Sequence, residues 1–162
     1  MTPLLLTLLT PLIGGLALFL VRALGPAGRL NLVVSGLTLL GSLWLAWTVA
    51  RVEVAAGLGF RVDAFNVYLI VLTAFVGLTT AIFSRPYMQY VLGEGWVREK
   101  RMRLYHSMYQ AFLATMLLAL TTNNLGILWV AVEGATLATV LLVSLYRTPE
   151  SVEAAWKYFI LC

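Results

Sequence analysis

Charge is what this sequence has least of. Of its 162 residues, 11 are Lys or Arg and 7 are Asp or Glu, so charged residues make up 11%, against about 25% in an average soluble domain. A soluble domain of this length could not clothe its surface with so few charges. The disordered, fibrous and disulfide-framework classes are excluded on the same composition. Histidine and cysteine occur once each, as His106 and Cys162. That is too few for an internal disulfide or a metal or haem site built within the chain. There is no glycine-rich phosphate loop, no internal repeat and no linker. What remains is apolar: 61% of the residues are hydrophobic, which marks a polytopic membrane protein or a piece of one.

The net charge of +4 does not indicate nucleic acid as a partner, because the basic residues sit between long apolar runs and not along one exposed face. A spanning helix needs about 20 mostly apolar residues. Stretches 3–24, 30–50 and 64–84 supply three. The next run is too long for one helix, and the polar break Thr121, Thr122, Asn123 and Asn124 divides it into spans at 104–120 and 125–146. A sixth helix begins after Arg147, with Thr148 as N-cap and Pro149 as first helical residue. It reaches only Cys162, too short to cross. The expected fold is an all-α transmembrane bundle of five full spans plus the start of a sixth. A helix stopping inside the membrane leaves carbonyls unsatisfied, so the chain is expected to be part of a longer subunit.

Lys and Arg in the loops set the orientation. Arg22, Arg29, Arg85, Arg98, Lys100, Arg101, Arg103 and Arg147 fall on one side, and Arg51 and Arg61 on the other. The N-terminus is therefore expected outside the cytoplasm. The run 98–103 reads as a cytoplasmic stop in contact with lipid headgroups, and Trp44, Trp47, Tyr87, Tyr90, Tyr105 and Tyr146 lie towards span ends as an interfacial belt. The first run has no preceding Lys or Arg and reads as a retained span, not a signal peptide.

Two ionisable residues interrupt the apolar pattern. Glu133 lies roughly 12 Å into the fifth span, near the middle of a hydrocarbon core of about 30 Å. An acid there costs on the order of 2.5–3.5 kcal/mol and needs protein or water to face. Desolvation moves a carboxyl towards the range of reversible proton uptake. Thr136 places a hydroxyl one turn away. Ala131, Gly134, Ala135 and Ala138 form a small-residue surface suited to close helix packing. Lys157 has two readings: a local i,i+4 pair with Glu153 whose amine snorkels to the interface, or a relay charge coupled to Glu133. His106, between Tyr105 and Tyr109, reads as a headgroup-level histidine. Arg61 and Asp63 read as an interfacial ion pair, and Asn123 and Asn124 as a turn.

The segments Thr122-Asn123-Asn124-Leu125, Trp129-Val130-Ala131-Val132-Glu133-Gly134-Ala135-Thr136-Leu137 and Glu153-Ala154-Ala155-Trp156-Lys157-Tyr158-Phe159 resemble the antiporter-like membrane subunits. These occur in respiratory complex I (NADH:quinone oxidoreductase), Mrp-type Na+/H+ antiporters and group 4 [NiFe] hydrogenases. The resemblance is strongest to the hydrogenase-4 component F type and covers about 60–162. The first two spans match in hydropathy alone. The resemblance implies helices 1–4 over 1–121, followed over 122–162 by the start of the translocating part. It puts Glu133 in the place of the fifth-helix glutamate and Lys157 in that of a sixth-helix lysine. Beside the resemblance, Thr136, Glu153 and His106 are candidate supporting positions from their place along the chain.

By the same resemblance the chain serves a redox complex that couples electron transfer to proton transport. It would carry no redox centre or cofactor of its own and would lie in a bacterial or archaeal cell membrane. Its partners would be other membrane subunits, protons and lipid. An Mrp-type antiporter and a non-transporting structural fragment are the alternatives. The chain departs from the family at Gly134, where relatives often have a larger residue, expected to loosen packing beside the glutamate. It also lacks the broken seventh helix with its lysine and the whole second half.

Overall fold

The computed structural model describes residues 2–20, 24–52, 54–57 and 59–162; Arg22 and Glu53 lie outside them. Among the described residues, six α-helices follow one another: α1 (Thr2–Leu20), α2 (Leu24–Val52), α3 (Ala64–Gly93), α4 (Glu99–Thr121), α5 (Leu125–Val143) and α6 (Pro149–Leu161). Between α2 and α3 lies a short antiparallel hairpin, β1 (Ala55–Gly57) and β2 (Phe60–Val62), pairing Ala55 with Val62 and Gly57 with Phe60. The sequence reading expected no strand there.

Among the described residues, four helical stretches are apolar and long enough to cross a membrane: Thr2–Leu20, Ala27–Val52, Ala64–Gly93 and Leu125–Tyr146. The chain is thus a multi-pass membrane protein built of helices. The expected fourth span is not among the four. Its helix α4 opens on Lys100, Arg101 and Arg103 and carries buried His106, Ser107 and Gln110, which dilute its hydropathy. The third helix outruns its expected span by about two and a half turns, continuing through Arg85 and Pro86 to Gly93. At 1.5 Å per residue its 30 residues measure about 45 Å, more than the hydrocarbon thickness.

Helix ends are closed by the residues that favour caps. Asp63 does not pair with Arg61 as expected. Its carboxylate accepts the backbone N–H of Phe65 and of Asn66 at 3.0 and 2.9 Å, capping α3. Asn124 caps α5 by accepting from Gly126 and Ile127. Thr148 accepts from Ser151 at 3.2 Å, with Pro149 in the first turn of α6. The hairpin is tied to the start of α5, since the Asn123 N–H donates to the Gly59 carbonyl at 2.9 Å and Phe60 bridges to Thr122.

α4 lies centrally, packed against α1, α3 and α5, while α2 packs on α1 and α3 and α6 on α5. Small residues set these seams. A Cβ on Gly14 would stand 2.4 Å from Val34 Cγ1, and one on Gly41 would stand 2.7 Å from Leu6 Cδ2, so α1 and α2 meet almost backbone to backbone. The close approach raises dispersion contact where lipid removes the hydrophobic drive between helices. One core cluster (Leu4, Leu45, Val49, Val62, Ile70, Leu117) lies at the hairpin end, and another (Met88, Val91, Val97, Met102, Leu145) at the opposite end.

Candidate proton site and the polar interior

α5 presents two faces of opposite character. Ala131, Ala135, Thr136 and Ala138 are buried, as the small-residue reading of that surface predicts, and Gly134 lies against α4. A Cβ on Gly134 would reach 3.0 Å from Thr115 Cγ2. The glycine therefore lets α5 approach α4 closely, where the sequence reading anticipated looser packing. Trp129, Val130 and Val132 face outward. Glu133 sits half-buried between these faces. Thr136 lies one turn on, and its hydroxyl donates to the Val132 carbonyl at 3.2 Å. That leaves the hydroxyl's lone pairs, and not its proton, for Glu133.

The structure does not bring Glu133 and Lys157 together. The Lys157 amine donates to Glu153 Oε1 at 2.5 Å, and the two side chains are 69% and 64% exposed. This is the local i,i+4 pair, worth little on an exposed face, and it is the one ion pair among the described residues. A groove between α5 and α6, lined by Leu137, Val140, Val152, Ala155, Trp156 and Phe159, is apolar.

His106 is turned into the bundle. It is 5% exposed and lines a cavity of about 40 Å³ with Gly28, Arg85, Gln89 and Met102. Its Nδ1 has no hydrogen-bond partner among the described residues, nor does Oε1 of Gln110 one turn further along α4. Gln110 is completely buried. Its Nε2 donates to Asn31 Oδ1 at 2.7 Å and to Ser35 Oγ at 2.9 Å, and Ser107 Oγ donates to the Gly15 carbonyl at 2.8 Å. The Tyr109 hydroxyl donates to the Gly77 carbonyl of α3. Polar side chains therefore hold α4 to each of α1, α2 and α3. Buried acceptors without a protein donor are sites that ordered water meets, and a cavity of this size admits a few waters.

The sequence reading missed Asn31, Ser35 and Gln110. A signal was present: Asn31, Ser35, Thr38 and Ser42 are all buried and recur at four- and three-residue spacing, a polar stripe along α2.

The site so drawn is one of a polytopic membrane protein with a polar interior and an intramembrane acid. No protein-family model matches the chain. It is 46% identical over 154 residues to the hydrogenase-4 component F homolog of Methylacidiphilum infernorum, and the match covers 95% of this chain and 32% of that protein. The chain is thus similar, over nearly its whole length, to a protein of the type that its motifs between Thr122 and Phe159 resemble, and it spans about a third of that relative's length.

Proposed function

We propose that this chain is the portion of a proton-translocating, antiporter-like membrane subunit in which protons are taken up at Glu133. The subunit serves a complex I-related redox assembly of the hydrogenase or NADH:quinone oxidoreductase type in a bacterial or archaeal cell membrane. Partner subunits carry the electrons and the cofactors. The observation that supports this most is a carboxyl half-buried within an otherwise apolar span, on a helix clamped to α4 through alanines and a glycine. Similarity to a hydrogenase-4 component F homolog points the same way. In this reading α4 also crosses the membrane, as the fourth of five spans, its polar side turned inward to α1 and α2. The N-terminus lies outside, with the C-terminal end of α3, which carries Arg85, and the basic start of α4 in the cytoplasm.

Glu133 takes and releases the proton, and the charges around it set when it does so. Thr136 supplies acceptor lone pairs beside it. Lys157, held by Glu153, and His106, on its small cavity, are supporting positions. In the full complex, Glu133→Gln is expected to lower redox-driven proton pumping by about tenfold or more while electron transfer with an artificial acceptor persists. Unchanged pumping would overturn the proposal. Pumping that persists without redox turnover and requires Na+ would assign the chain to a secondary antiporter.

A further inference from the structure

The basic end of the bundle holds a feature that proton uptake at Glu133 does not use. Arg98, Lys100, Arg101, Arg103 and Arg147 line one cavity of about 430 Å³ together with Phe19 and Leu104. Three elements build it: the last turn of α1, the first turns of α4 and the turn between α5 and α6. Arg101 joins two of them, since its Nη1 donates to the carbonyls of Leu145 and Tyr146 at 3.4 Å each. Arg147 has a φ of 53°, a left-handed conformation that costs a non-glycine residue energy and that proteins keep where it positions a group.

Five cations around one cavity repel one another. The stretch 98–103 offers a single acid, Glu99, against four of them. An anion that enters removes that repulsion. Phe19 and Leu104 add apolar lining to the cations, and Phe19 is 58% exposed, so the lining suits a molecule with a phosphate at one end and hydrocarbon at the other. The cavity also lies at the end of the apolar spans, where a headgroup would sit.

We propose that this cavity binds the phosphate headgroup of an anionic phospholipid, with the acyl chains lying along Phe19 and Leu104. The lipid would tie α1 to the α5–α6 turn, holding the fifth helix from its basic end. The site stands independently of Glu133, because it needs no proton transfer.

The test uses the full complex reconstituted in bilayers of equal parts phosphatidylcholine and phosphatidylglycerol, with trace spin-labelled phosphatidylglycerol or spin-labelled phosphatidylcholine as probe. The wild type is expected to immobilise the labelled phosphatidylglycerol preferentially. That preference should fall about fivefold for each cation removed in Arg98→Gln/Lys100→Gln and in Arg147→Gly, and stay unchanged in Arg61→Gln. The glycine variant suits the left-handed φ, so its fold is retained. Preference unchanged in both cavity variants overturns the proposal. Displacement of the labelled lipid by inorganic phosphate overturns the lipid and leaves a free-anion site. Loss of a partner subunit with lipid preference intact overturns it in favour of an acidic protein surface.

Discussion

Gln110 shows how a single side chain binds this bundle. It lies in α4, 79 residues in sequence from Asn31 and 75 from Ser35, and it holds both at once. Truncating it leaves Asn31 Oδ1 and Ser35 Oγ buried without their donor. Gln110→Ala should therefore cost about 1–3 kcal/mol, read as a lowered unfolding midpoint of the detergent-solubilised protein and faster amide exchange in α2. Glu133 was legible in the sequence because an acid amid apolar residues stands out at any register. The burial of His106 was not legible, because it depends on the direction in which α4 turns the side chain. The Arg61–Asp63 pair failed for a local reason: Asp63 precedes a helix, and the N–H groups of Phe65 and Asn66 offer a short carboxylate closer partners than a flexible guanidinium does.

Among the elements, the seam between α1 and α2 depends on glycine. Gly14 faces Val34, whose branched Cβ stands 3.1 Å from the Cβ position and cannot swing aside. Gly14→Ala should push the two helices apart and destabilise the protein by about 1–3 kcal/mol. Gly36, in the same helix as Val34, has nothing within 4 Å of its Cβ position. Gly36→Ala should be neutral or stabilise by up to about 1 kcal/mol, as helical alanine does over glycine. Thermal unfolding of the two variants side by side separates packing from helix propensity. The start of α6 was read from Thr148 as N-cap, since capping is a short-range matter, whereas the starts of α3 and α5 came from hydropathy and the polar break, and the capping roles of Asp63 and Asn124 emerged only in the structure. The end of α3 was not legible, because hydropathy stops at Ser84 while backbone bonding runs to Gly93, beyond the apolar stretch and through a proline.

Taken whole, the molecule is polarised end to end. Arg98, Lys100, Arg101, Arg103 and Arg147 share one cavity, the Arg85 side chain lies by Gly28 at the start of α2, and Arg51 and Arg61 belong to the hairpin end. The proposed orientation can be read directly in a Cys162→Ser background, which removes the native thiol. A cysteine at exposed Arg61 (Arg61→Cys) should react with a membrane-impermeant maleimide in intact cells. One at exposed Glu94 (Glu94→Cys) should react only after permeabilisation. The reverse pattern would invert the topology and place the basic cavity outside.

Membrane character, the positions of four spanning stretches, the asymmetry of charge and the isolated glutamate can all be read from the chain alone. Each is a property of a short window: transfer free energy and helix length add up residue by residue along the chain. The contacts that join the helices cannot be read this way. The Ser107 hydroxyl meets a carbonyl 92 residues away, and Gln110 finds Asn31 79 residues away. Such pairings depend on how each helix is rotated about its axis when glycine and alanine seams close. That rotation is settled by packing between helices, a long-range balance that no local pattern encodes.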